Sequence, residues 1–290
     1  MAARSRRAAA TPPRARRTGL RLALGTVLLA GAVVAGSLGA RWAMAELTAP
    51  VCELRAAEGT EELTPEQAAN AATIAGVALQ RGLDPHAVTI ALATAIQESK
   101  LRNLTYGHAD SLGLFQQRPS QGWGSPEEVR DPVHASRAFY DALVEVPGWQ
   151  DGRVTDVAQA VQRSAYPEAY ADHEAEGRVM SAALTGTEPA AVGCRLDDPE
   201  GPGSAAEVLA KAERQLGATG TVDGDTVALR PAEGGTVWAL AAWAVAHAEA
   251  EHIVRVEADG RAWDRGDEPL TWKQTGSTGD AEVLVTVAGD

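Results

Sequence analysis

Between residues 64 and 132 a helix-capping residue stands directly before proline at four places: Thr64-Pro65, Asp84-Pro85, Ser125-Pro126 and Asp131-Pro132. A Thr, Ser or Asp side chain at a helix N-cap accepts a hydrogen bond from an otherwise unpaired backbone N–H. Proline suits the first helical position because its missing N–H would have no intrahelical partner there. Each pair therefore reads as a helix start, and starts this close together permit only short helices. Thr64-Pro65-Glu66-Gln67 adds a glutamine at the third helical position, the arrangement of a capping box. Its helix is expected to run to about Gln80 and to end at Gly82. The helix begun at Asp84-Pro85 places Val88, Leu92, Ala95 and Ile96 at three- and four-residue spacing. Asp156 to Gln162 and Glu168 to Leu184 also read as helical, while nothing between 64 and 186 sustains a two-residue alternation. The expectation is a mainly α fold, with an all-α domain over residues 64–194 and a long loop from Asn103 to Gly124. Hydrophobic residues make up 45% of the chain but aromatics only 4%, so the core is expected to be built from small side chains.

The N-terminal sequence sets the compartment. Residues 1–21 hold seven arginines and no acid, and Leu22 to Ala40 is an uncharged, mainly apolar run long enough to cross a hydrocarbon core of about 30 Å. Arginines on its N-terminal side predict a cytoplasmic N-terminus and an extracytoplasmic body, anchored by a transmembrane helix over 22–41. The alternative is a signal peptide cleaved after Ala43-Met44-Ala45, with the body secreted. The length of the run and the position of Arg41 favour the anchor, and both readings export the body. Beyond residue 21 the chain carries 19 basic and 39 acidic residues, a field that repels nucleic acid. A single apolar span cannot line a polar pathway through a bilayer, which excludes a transporter.

Residues 46–63 read as an acidic connector. Cys52 and Cys194 both follow the membrane segment, and in an oxidising compartment they predict one disulfide, the alternative being two unpaired buried thiols. The two cysteines and six dispersed histidines show no metal-ligand spacing, and neither a metal nor a cofactor is expected. Residues 195–204, rich in proline, glycine and charge, read as a linker. After it a small α+β domain is expected over 205–290. It would hold a helix from Ala205 to Leu216, a hairpin at Asp223-Gly224, a helix from near Trp238, and strands at Ile253–Glu257 and Glu282–Val287. Its tryptophans, Trp238, Trp243, Trp263 and Trp272, serve either as core and linker contacts or as platforms for sugars.

The chemistry is concentrated in Thr94-Ala95-Ile96-Gln97-Glu98-Ser99-Lys100-Leu101 and, after a loop, Asp110-Ser111-Leu112-Gly113-Leu114-Phe115-Gln116-Gln117-Arg118-Pro119-Ser120. These segments resemble those of the soluble lytic transglycosylases and goose-type lysozymes, in which a helix ends in Glu-Ser and a Gly-Leu-(Met or Phe)-Gln segment follows. Here Gln116 stands 18 residues after Glu98. The resemblance covers about Thr64 to Gly186 and extends to domains of exported actinobacterial cell-wall proteins. It implies a lysozyme-like domain, peptidoglycan glycan strands as partner, and Glu98 as catalytic acid and base. It further implies substrate contacts from Gly113, Leu114, Phe115 and Gln116, with Asp110 and Ser111 shaping the same turn and Trp123 on the cleft rim. One segment departs from the pattern. Where the superfamily commonly has Ala-Tyr-Asn-Ala-Gly, with its Tyr facing the catalytic Glu, this chain has Ala160-Val161-Gln162-Arg163-Ser164-Ala165-Tyr166-Pro167. Gln162 and Tyr166 are the candidates to take over that role.

The residues themselves make Glu98 a plausible acid. It sits near the C-terminal end of its helix, at the edge of the apolar face, where both the partial negative charge of the helix terminus and partial burial raise a carboxyl pKa. Lys100 and Arg102 would oppose the shift if they turned toward it. A glycosidic oxygen leaves only when protonated, so an acid that keeps its proton near neutral pH is what the reaction needs. Glycosidases usually use two carboxylates; Asp110 and Asp131 are the conceivable partners, Asp131 being more simply a helix cap. By resemblance, Glu98 alone would protonate the bridging oxygen and then deprotonate the 6-hydroxyl of the sugar, giving a 1,6-anhydro product, with simple hydrolysis as the competing outcome. The reading from a different class is a non-catalytic peptidoglycan-binding or scaffold protein with a degenerate site.

Overall fold

Three of the four capping pairs start helices. Helix α1 (Pro65–Gln80) begins with Thr64 and Gln67 making both bonds of a capping box, α2 (Pro85–Ser99) is capped by Asp84, and α3 (Pro132–Val144) by Asp131. At Ser125-Pro126 the reciprocal bonds also form, Ser125 N–H to Glu128 at 2.8 Å and Glu128 N–H to Ser125 at 3.2 Å, but only a turn results. The reason is local: Asp131 precedes Pro132, and a residue before proline is driven out of the helical region. Helices α4 (Val154–Gln162), α5 (Glu174–Leu184), α6 (Ala205–Leu216) and α7 (Val237–Ala246) complete the set among the described residues.

This computed structural model describes residues 49–164, 166, 168–276 and 282–289. The basic tail and the expected span at 22–41 lie outside the described residues, among which no helix is long and apolar enough to cross a membrane. The mainly α expectation is corrected: the fold is mixed α/β, with two antiparallel sheets. One has three strands in the order β2-β1-β3, formed by β1 (Val51–Ala56), β2 (Gly59–Leu63) and β3 (Val192–Arg195). The other has six in the order β4-β5-β9-β6-β7-β8, formed by β4 (Thr219–Asp223), β5 (Thr226–Arg230), β6 (Ile253–Ala258), β7 (Arg261–Asp264), β8 (Lys273–Gln274) and β9 (Val283–Val287).

The expected connector at 46–63 thus contains a hairpin. Cys52 and Leu54 alternate inward and are fully buried, while Gly59–Leu63 is largely exposed and acidic. Two inward side chains are too few to announce a strand, and the other partner, β3, lies far along the chain. Cys52 and Cys194 are register partners across β1 and β3 and form a disulfide closing a separation of 142 residues. A loop of that length contributes on the order of 5 kcal/mol in the chain-entropy treatment.

Residues 50–290 form one compact unit, and their core runs without a break from Cys52 to Val287. The reason is α7. Its sequence, Val-Trp-Ala-Leu-Ala-Ala-Trp-Ala-Val-Ala, is apolar on every face, and it packs against α1, α5, β3 and β6. At this junction Trp243 Nε1 donates to Gln215 Oε1 at 2.6 Å, and buried His247 stands between the Trp243 carbonyl (2.9 Å) and Thr73 Oγ1 (3.4 Å) of α1. A Cβ at Gly76 would lie 3.2 Å from the Gln215 carbonyl oxygen, so α1 and α6 approach closely there. Buried Arg265 donates to the carbonyls of Asp197 (2.7 Å) and Ala248 (2.9 Å), tying the proline-rich segment to the larger sheet. Trp243 and Trp263 are core residues. Trp238 and Trp272 are half-buried with their rings edge to face, and Trp272 donates to the Val192 carbonyl at 2.8 Å.

Candidate active site

Glu98 is the penultimate residue of α2, and the chain leaves that helix through two consecutive left-handed residues, Lys100 (φ 54°) and Leu101 (φ 57°). Each such non-glycine residue costs on the order of 1 kcal/mol or more. The turn is held by α1, whose Gln67 donates to the Lys100 carbonyl (2.9 Å) and whose buried Asn70 donates to the Leu101 carbonyl (2.8 Å). Leu101 is thereby sunk into the core, while Lys100 and Arg102 are exposed and make no hydrogen bond to Glu98. Ser99, next to Glu98, is buried. Its hydroxyl lies 2.7 Å from the Leu114 carbonyl and 3.0 Å from the Ala95 carbonyl, so the Glu-Ser pair is fastened to the Gly-Leu-Phe-Gln turn by its serine.

That turn is anchored from below. Leu114 and Phe115 are fully buried, and the Phe115 ring stacks on Phe139 with centroids 4.6 Å apart. Their side chains therefore cannot be the substrate contacts the resemblance implies; they fix the turn to the core. Gly113 has φ +76°, and a Cβ there would lie 2.1 Å from the Val129 carbonyl oxygen. The close approach that requires glycine is to the protein's own backbone. Gln116 (φ 48°) turns its amide to the carbonyls of Tyr106 (3.3 Å) and Gly113 (3.4 Å), and its Oε1 leaves no room for a side chain at Gly107. Ser111 is buried beneath the same turn.

The Glu98 carboxyl is half-buried and faced by two side chains from the later segment. Tyr170 donates its hydroxyl to Oε1 at 2.8 Å, and the amide of Gln162, at the end of α4, lies beside it. Burial raises the Glu98 pKa above the ordinary carboxylate value, and the Tyr170 hydroxyl and the neighbouring Gln162 amide offset part of that rise. Gln162 donates to the Phe115 carbonyl at 2.9 Å, tying α4 to the turn beside the acid. Tyr170 is 1% exposed, so burial drives its own pKa far up and the hydroxyl remains a donor.

Of the two candidates for the departed tyrosine, Gln162 reaches Glu98 and Tyr166 does not: Tyr166 is 76% exposed. The residue facing the acid is Tyr170. The available signal was the Ala169-Tyr170 pair, displaced along the chain from where the family segment would align. Tyr106, an exposed aromatic whose carbonyl is held by Gln116, was also not singled out by the sequence. Trp123 is half-buried, with His134 Nε2 at 3.4 Å from its carbonyl, and with Gln162 it lines a groove of about 820 Å³.

Neither conceivable second carboxylate is free for the reaction. Asp110 accepts from Arg118 Nε (2.8 Å), the Ser120 backbone (2.8 Å) and the Ser120 hydroxyl (3.0 Å), which hold it well below the usual carboxylate range. Asp131 caps α3 and pairs with Arg214 at 2.6 Å. Among the described residues no group of His, Cys, Asp and Glu is arranged to hold a metal ion. No family model matches the chain, and no curated protein matches it.

Proposed function

We propose that this chain cleaves the β-1,4 bond between N-acetylmuramic acid and N-acetylglucosamine in peptidoglycan, with Glu98 as both acid and base, while tethered outside the cell by the apolar segment at 22–41. The observation that carries the reading is the setting of Glu98. Its carboxyl is half-buried with a raised pKa, it is oriented by Tyr170 and Gln162, and its helix end is fastened through Ser99 to the Gly113–Gln116 turn. In the proposed reaction protonated Glu98 gives its proton to the bridging oxygen as the bond from that oxygen to the anomeric carbon breaks. The oxocarbenium-like centre is then attacked by the sugar's own 6-hydroxyl, whose proton returns to Glu98. The result is a 1,6-anhydro sugar and a restored acid. Attack by water at the same step would give simple hydrolysis.

Incubation of purified peptidoglycan with the protein, followed by mass analysis of the released fragments, tests both the activity and the product. Muropeptides lighter by one water identify the anhydro route. Strands that are bound but never cut by the wild-type chain would make it a peptidoglycan-binding protein and overturn the catalytic reading.

A further inference from the structure

Gln162 belongs to two places at once. Its side chain lies beside the Glu98 carboxyl and donates to the Phe115 carbonyl at 2.9 Å, and it lines the groove that also holds Trp123, Val146, Pro147 and Arg163. At about 820 Å³ this groove falls within the range of sites that hold small ligands. Arg163 stands directly after α4 with φ 52°, a left-handed position where glycine is ordinarily preferred. Its side chain is exposed and makes no ion pair or hydrogen bond among the described residues, whereas Arg118, Arg153 and Arg178 each pair with a carboxylate. Glu145, an acid on the same groove, is not paired with it either. Arg163 is the guanidinium on this groove's wall, and its charge is left open to a ligand's acid. The indole of Trp123 adds a half-buried aromatic surface of the kind on which a sugar ring packs.

We propose that Arg163 is a specificity residue that pairs with a carboxylate carried by the glycan strand, so that acid-bearing strands are preferred to neutral ones. This rests on the reading of the Glu98 site as one that takes peptidoglycan strands. A planar guanidinium matches a carboxylate through two parallel N–H bonds, which lysine reproduces only as a point charge. Two sources carry that chemistry: the lactyl acid of a muramic residue whose stem peptide has been removed, and the acids of the stem peptide itself. If it is the lactyl acid, the reaction that supplies the substrate is hydrolysis of the lactyl amide.

Binding is measured with Glu98→Gln, which cannot turn the strand over, using three probes: strands stripped of peptide, the same strands with the lactyl acid amidated, and strands carrying stem peptides. Glu98→Gln is expected to bind an acid-bearing probe roughly tenfold more tightly than the amidated one. Adding Arg163→Gln should abolish the preference, and adding Arg163→Lys should keep part of it. Preference for the stripped strand assigns the lactyl acid, and preference for the peptide-bearing strand alone assigns the stem. Equal binding to all three probes, or a preference that survives Arg163→Gln, overturns the proposal. Because the readout is binding, a wild-type chain that shows the preference but cuts nothing overturns the catalytic reading and supports this one.

Discussion

The Tyr170 hydroxyl lies 2.8 Å from Oε1 of Glu98, a bond that joins the approach to α5 with the end of α2 across 72 residues. A donor to a carboxylate favours its charged form, so Tyr170 works against the burial that raises the Glu98 pKa. The acid is held between two opposed influences, and its proton affinity can be moved by altering either. Tyr170→Phe removes the donor and keeps the ring. The Glu98 pKa should then rise further, and the alkaline limb of the pH-rate profile should move to higher pH, at a cost of about 1 kcal/mol in stability. A limb that stays in place would show that the bond does not set the proton affinity of the acid.

Glu98→Gln keeps the size of the side chain and removes its proton. Turnover of peptidoglycan should fall by ~100 to 10,000-fold, while Glu66→Gln, in the first turn of α1, should change it little. The same variant carries a second signature. A carboxyl whose folded pKa is raised binds its proton more tightly when folded, so the stability it contributes is full below the ordinary value of 4.5 and is lost as pH rises from there through the folded pKa. Glu98→Gln should therefore melt above the wild type at neutral and alkaline pH, with the gap closing as pH falls below the ordinary carboxylate value of 4.5. A gap independent of pH would mean that Glu98 is not held in a desolvated site.

His247 offers a pH prediction remote from the site. Burial holds its pKa at about 3 against an ordinary 6.5, so between those values the unfolded chain binds one proton that the folded chain does not. Stability from this residue is fully present above pH 6.5 and is lost as pH falls, at about 1.4 kcal/mol per unit, or about 2 kcal/mol by pH 5. His247→Gln should flatten the urea-midpoint profile by one proton over this window. An unchanged slope would show that the imidazole is not desolvated in the folded protein.

A chain ending at Asp198 would retain Glu98, the Gly113–Gln116 turn, Tyr170 and both cysteines, yet it would lose α7, whose Leu240, Trp243 and Val245 are buried in the shared core. It should fail to unfold cooperatively in urea and should show weak near-ultraviolet dichroism. Cooperative unfolding of that fragment, together with retained glycan binding, would show that residues 205–290 are not needed to complete the core.

Much of this protein is legible one segment at a time. The pairs Thr64-Pro65, Asp84-Pro85 and Asp131-Pro132 start helices because a cap bonds a backbone N–H only a few residues away, a relation that any sequence window contains. Helix α6 runs from Ala205 to Leu216 as expected, and the hairpin at Asp223-Gly224 joins β4 to β5, because both signals are equally local. Glu98 and the Gly-Leu-Phe-Gln turn stand out in the sequence through the two-segment resemblance, and Glu98 also through its place at a buried helix edge. Residues distant in sequence decided the rest. Strands β1 and β3 become a sheet only when they meet, so the segment that reads as a connector is a hairpin locked to residue 194. Phe115 reads equally well as a cleft or a core residue until Phe139 stacks on it, and Asp110 as a catalytic acid until Arg118 and Ser120 claim it. Tyr170 rather than Tyr166 faces Glu98, because burial selects between them. Periodicity and capping report what a residue does within a turn or two of itself. Proton affinity, sheet pairing and exposure depend on which distant segments displace water from it, and that only the tertiary structure decides.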